Sequence, residues 1–152
     1  MQFTKAEEYG VLGVLHLAEK DRSTVTPLSE VSEAKQIPEK FLAKIFQSLS
    51  RSGIVRSHRG VRGGFALARD PENITVREVL ESIQGPYHLL KCVVDLGACE
   101  RDGRNCALRH ILIEAEERLK DVFESNTLAD MVRWEAEKQG GVKTEENTPQ
   151  QA

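Results

Sequence analysis

The sequence predicts a mainly α-helical fold with a small β-hairpin wing, that is, a winged helix-turn-helix followed by a long amphipathic helix. Three observations predict it. Helix-period stretches over residues 5–53 give way to two short strand-like runs around a Gly- and Arg-rich tip. Residues 35–69 hold eight Lys and Arg against Glu39 alone, a net +7 in a chain of net charge −3, which leaves −10 on the rest. The second half carries one long apolar stripe at helical spacing.

The elements follow in order. Thr4-Lys5-Ala6-Glu7 is a capping-box pattern. It opens a mostly buried helix over residues 5–20 through Val11, Leu12, Val14, Leu15 and Leu17. After the polar loop Asp21 to Val25, Thr26-Pro27 supplies an N-cap with Pro at the first helical position, for a short helix to Lys35. Pro38 starts a third helix, with Phe41, Leu42, Ile45, Phe46 and Leu49 on its apolar side, and Gly53 stops it. Ile54–Ser57 and Phe65–Ala68 read as strands of a hairpin whose tip is His58 to Gly64. Thr75-Val76-Arg77-Glu78 is a second capping box and opens a helix ending near Gly85-Pro86. Residues 87–105 have little periodicity. Leu108, Ile111, Leu112, Ala115, Leu119, Val122 and Phe123 then mark one long helix, with Glu114, Glu117, Asp121 and Glu124 outside. Thr127 to Asp130 caps a last helix, and the polar tail after Gln139 is expected to be disordered. The organisation is 1–86 winged helix-turn-helix, 87–105 cysteine loop, 106–138 long and C-terminal helices, and 139–152 tail.

Composition excludes several classes. With 152 residues, 39% hydrophobic and 30% charged, the chain is neither a membrane protein nor low-complexity. No apolar stretch reaches the ~20 residues of a membrane span. The N-terminus lacks an apolar signal core, so a cytoplasmic protein with reduced thiols is expected.

The basic block coincides with the two elements that touch DNA in this architecture. The third helix carries Lys40 and Lys44 opposite its apolar side and is sized for the major groove. The hairpin tip brings Arg59 and Arg62 to phosphates or a narrow minor groove. The expected DNA-binding set is Lys40, Lys44, Arg56, His58, Arg59 and Arg62, with double-stranded DNA as partner. A nucleotide loop is disfavoured because the glycines match neither a P-loop nor a dinucleotide fingerprint. No nucleophile–base–acid set is visible, so no catalytic residues are expected and the chain is read as a non-enzyme.

Cys92, Cys99 and Cys106 lie in a polar segment, with six residues between neighbours. Free Cys prefers apolar burial, so three in this setting suggest a soft-ligand site, zinc or an iron–sulfur cluster, rather than ordinary thiols. Arg101 and Arg104 nearby favour thiolates. A fourth ligand is open between His110, one helical turn after Cys106, and an oxygen of Glu7 or Glu8.

A family resemblance rests on the opening M-Q-F-T-K…Y-G-V, on FLAKIFQSLSRSGIVRSHRGVRGGFALAR, on TVREVLESIQG, on the three-cysteine segment and on T-L-A-D-M. Over about residues 1–135 these resemble the IscR/NsrR-type regulators, bacterial winged-helix repressors and activators that include iron–sulfur, nitric-oxide and cysteine-metabolism sensors. The resemblance implies a homodimer built on the helix from Leu108 to Phe123. It implies a [2Fe-2S] or [4Fe-4S] cluster on Cys92, Cys99 and Cys106. It favours Glu8 as fourth ligand, since Arg109 occupies the IscR-type histidine place and His110 is displaced by one. The cysteine spacing is also one residue wider than the family's usual one. Arg59 matches the family's wing arginine. Ala43, next to Lys44, stands where IscR-like members carry an acidic discriminating residue. The implied function is a sequence-specific transcriptional regulator sensing redox, nitric oxide or iron–sulfur status. The alternatives are a cluster-free thiol- or zinc-dependent regulator of the same fold, or an iron–sulfur carrier.

Overall fold

Local chain chemistry sets the helix starts. In the computed structural model, which describes residues 3–89, 95–99 and 103–140, α1 spans Lys5–Ala18. The Thr4 hydroxyl accepts the Glu7 N–H at 3.3 Å, and the Glu7 carboxylate accepts the Thr4 N–H at 2.7 Å. α2 is Leu28–Lys35 and α3 is Glu39–Arg51. Gln36, at φ 54°, makes the left-handed turn that ends α2. Gly53, at φ 71°, follows α3 in the conformation glycine adopts without penalty.

β1 (Val55–His58) and β2 (Gly64–Leu67) pair antiparallel, with Val55 opposite Leu67 and His58 opposite Gly64. α4 is Val76–Gln84, with the expected box between Thr75 and Glu78. The long helix, α5, is Ala107–Ser125, and α6 is Leu128–Gly140. Thr127 and Asp130 exchange cap hydrogen bonds at the start of α6, at 2.9 and 3.3 Å.

The structure corrects two expectations. Thr26 is not the cap of α2, which starts after Pro27 with no side-chain cap. Its backbone instead exchanges two 2.8 Å hydrogen bonds with Phe65, adding a bridge to the wing sheet. Burying both backbone groups of Thr26 against β2 outweighs one cap bond. Phe41 does not join the apolar side of α3. It is 59% exposed, while Leu42, Ile45, Phe46 and Leu49 are buried.

The core joins Val14, Leu15 and Leu17 of α1 with Val31, the buried face of α3, Ile54, Val55, Leu67, Ile74, Val79 and Leu128. Phe46 meets Phe65 edge to face at 4.9 Å, fixing the wing against α3. Close approach of α1 depends on two glycines. A Cβ at Gly10 would lie 2.2 Å from Ile83, and one at Gly13 would lie 2.7 Å from the Phe46 ring. α6 is sutured back by Val76 N–H to Asn126 C=O at 2.9 Å and Leu128 N–H to Ile74 C=O at 3.0 Å.

Burial on α5 is sparse. Among its described side chains only Glu116 is buried, whereas Leu108 and Ile111 are each 60% exposed and Val122 is 55% exposed. Cys92 and the tail from residue 141 lie outside the described residues.

Candidate nucleic-acid interface and cysteine segment

The tertiary structure divides the eight cations of the basic block into two groups. Lys35 pairs with Glu19 at 3.2 Å, and Arg69 pairs with Glu78 at 2.8 Å while also reaching the Asn73 carbonyl at 2.9 Å. Both hold the fold together. Lys40, Lys44, Arg51, Arg56, Arg59 and Arg62 are exposed, and none has an ion pair among the described residues. Five of these six are in the expected set, and the sixth, Arg51, ends α3 on the same face as Lys40 and Lys44. His58 closes β1 and is exposed. An unneutralised cation cluster of this kind attracts a polyanion.

Backbone geometry presents the wing tip. Gly60 sits at φ 114°, and the Gly63 N–H donates to the Gly60 carbonyl at 2.9 Å. A Cβ on Gly63 would lie 2.5 Å from the His58 carbonyl oxygen, so the tight turn needs glycine there. Arg59, Val61 and Arg62 therefore project from a narrow tip, and Val61 is fully exposed. Patterning alone pointed to the arginines but not to Val61 or Phe41. An exposed apolar residue beside buried ones carries no period of its own.

Cys99 follows the short 3-10 turn Leu96–Ala98, which is capped by the Asp95 carboxylate accepting the Gly97 N–H at 2.8 Å. Cys106 is the N-cap residue of α5, and its carbonyl accepts the His110 N–H at 3.2 Å. Both thiols are free and half-buried. No three His, Cys, Asp or Glu side chains converge as a metal site among the described residues. His110 is exposed on α5.

The two acidic candidates on α1 separate clearly. Glu7 is buried, with its carboxylate committed to Thr4. Glu8 is exposed, and among the described residues its carboxylate pairs with Lys5 at 2.7 Å. Both border an open apolar groove of about 400 Å³ between Phe3, Val11, Leu12, Phe123 and Met131. Phe123 also stacks edge-on with Phe3 and Tyr87, each at 6.0 Å. The Tyr87 hydroxyl is held above its ordinary titration range by burial and then by the negative charges of Glu7 and Glu116.

Comparison with known proteins places this arrangement. A protein of Aquifex aeolicus named "Putative HTH-type transcriptional regulator" is 30% identical over 136 residues, covering 89% of this chain and 94% of its own. The solved structure of CymR (YrzC), the global cysteine regulator of B. subtilis, matches with TM-score 0.75 at 25% identity. It covers 88% of this chain and 98% of that one. The structure of T. potens IscR matches in fold with TM-score 0.73 at 24% identity, covering 95% of this chain and 94% of that one. No helix among the described residues is long and apolar enough to cross a membrane. Residues 3–134 match the Rrf2 family, described as iron-dependent transcriptional regulators, and the chain belongs to that family of regulators, not to an enzyme family.

Proposed function

We propose that this chain is a homodimeric, sequence-specific DNA-binding regulator of the cytoplasm that senses redox, nitric oxide or iron–sulfur status through a cluster held by Cys92, Cys99 and Cys106. The observation that carries the DNA reading is the set of unpaired cations on α3 and the wing. Residues 1–86 form the DNA-binding region. Each subunit places α3 in a major groove, with half-sites about one helical turn apart. Lys40 and Lys44 flank the base edges. Arg56, His58, Arg59 and Arg62 hold the backbone beside the groove.

Dimerisation rests on α5. Leu108, Ile111, Ala115 and Val122 fall within a sector of about 60° at the helical step, and all four are exposed. A continuous apolar stripe left in water marks an interface. A second copy of the same helix covers it with two-fold symmetry.

The donor set suits an iron–sulfur cluster. Cys92, Cys99 and Cys106 would hold it, with Glu8 as fourth ligand and His110 as the alternative. When bound, the cluster supplies a centre whose state changes with oxygen, nitric oxide or electrons. Cys106 occupies the N-cap position of α5 without a side-chain cap bond, so a group held by its thiolate would act on the start of that helix. That action links the sensing segment to the spacing of the two α3 helices, a coupling between two affinities. The second reading is a cluster-free thiol- or zinc-dependent regulator of the same fold, in which partly accessible thiols such as Cys99 and Cys106 would be oxidised or bind zinc.

The test is an absorption spectrum of protein purified without oxygen, with iron, sulfide and zinc assayed on the same sample. Visible sulfur-to-iron bands with matching iron and sulfide support the cluster. A colourless protein with about one zinc per subunit, or with no metal after reconstitution, supports the second reading. Duplex DNA affinity that falls steeply with salt supports the regulator in both cases.

A further inference from the structure

We propose that Phe41 is a base-reading residue of α3 that packs on the 5-methyl group of a thymine in the major groove. The inference rests on the DNA-binding reading and extends it to a specific side chain. Phe41 is the third residue of α3, and the N-terminal residues of such a helix are the ones that meet base edges. Its side chain is 59% exposed, on the rim of the face that carries the unpaired Lys40 and Lys44. No aromatic ring or cation packs on it among the described residues. The next turn below it is Ile45, which is buried and fixes the rotation of the helix.

Sequence patterning counted Phe41 with the core, but the fold turns it outward. A solvated phenylalanine forgoes the burial that Leu42 and Phe46 obtain two sectors away. Its position beside the face of two unpaired cations makes a macromolecular polyanion with apolar features the matching partner. In duplex DNA that feature is the thymine methyl, which apolar side chains read in the major groove. The lysines contribute attraction without sequence preference, so an apolar contact is the kind of group this face needs for discrimination. Ala43, half-buried on the opposite rim, is too short to serve in the same way.

The experiment uses the full-length protein. Wild-type protein selects sites from a library of random duplexes about 30 base pairs long. The winning site is resynthesised with uracil in place of each thymine in turn, which removes only the methyl group. Affinities are measured for wild type, Phe41→Ala and Phe41→Leu, with far-UV circular dichroism on each.

One methyl contact corresponds to a loss of about fourfold. The expected result is one thymine per half-site at which uracil weakens wild type by about that factor. Phe41→Ala should then bind the thymine and uracil sites equally, while Phe41→Leu keeps most of the difference. The proposal is overturned if no thymine is sensitive, or if Phe41→Ala remains as sensitive as wild type. Absence of any selected site, together with no salt-dependent duplex binding, overturns the DNA-binding reading itself. That outcome is distinguishable from a selected site that ignores Phe41.

Discussion

His88 holds Glu116 across two parts of the chain: its Nδ1 lies 3.0 Å from one carboxylate oxygen, and the other oxygen accepts the Leu89 N–H at 3.0 Å. Lys120, one turn along α5, donates to the same carboxylate at 2.6 Å. Glu116 is 4% exposed, so this buried carboxylate anchors the stretch that leaves α4 onto the middle of α5.

Burial alone would raise the Glu116 carboxyl, but hydrogen bonds from Lys120, Leu89 and His88 together outweigh it and hold the carboxyl below its ordinary 4.5. A lowered folded-state pKa contributes stability that is present above 4.5 and is lost as pH falls through the folded value. Urea unfolding of Glu116→Gln between about pH 6 and pH 3 should show a smaller acid-induced loss than wild type. At neutral pH the variant should be less stable by about 1–3 kcal/mol, the cost of weakening charged hydrogen bonds in a buried place. Equal acid slopes in the two proteins would contradict this anchor.

The wing sheet depends on Gly64. A Cβ there would lie 2.2 Å from the Thr26 carbonyl oxygen, a backbone atom tied to Phe65 and unable to yield. Gly64→Ala should lower stability by about 1–3 kcal/mol through overpacking and loosen the wing. Gly140→Ala, which meets nothing, should change it little. Thermal unfolding and amide exchange at Phe65 would check both.

Free and paired arginines should behave differently on DNA. Arg59→Ala and Arg62→Ala should each weaken binding across sequences and reduce the salt slope by about one per subunit, with stability unchanged. Arg69→Ala, which loses Glu78 and the Asn73 carbonyl, should lower stability and leave the salt slope alone. Salt titrations of affinity together with melting curves separate the two classes.

The stripe on α5 makes a prediction about mass in solution. Ile111→Glu places a charge on the stripe of the proposed two-fold interface, where Ile111 is 60% exposed in the single chain. Light scattering should show the mass of one chain for the variant and of two for wild type. A variant that keeps the wild-type mass places the interface elsewhere.

Sequence alone determined the elements whose cause is local. The capping boxes at Thr4 and Thr75, the Thr127–Asp130 cap and the stop at Gly53 each need partners only a few residues away. The basic block and the apolar stripe of α5 were equally legible, because charge and period are properties of the chain. Tertiary structure decided what depends on distant partners. Thr26 became a sheet edge because Phe65, far along the chain, claimed its backbone. Phe41 turned to solvent because only the packing of Leu42, Ile45 and Phe46 sets the rotation of α3. Lys35 and Arg69 are neutralised within the basic block because Glu19 and Glu78 reach them only in the folded chain. Glu116 gained its role the same way, since a carboxylate is buried only where several donors converge.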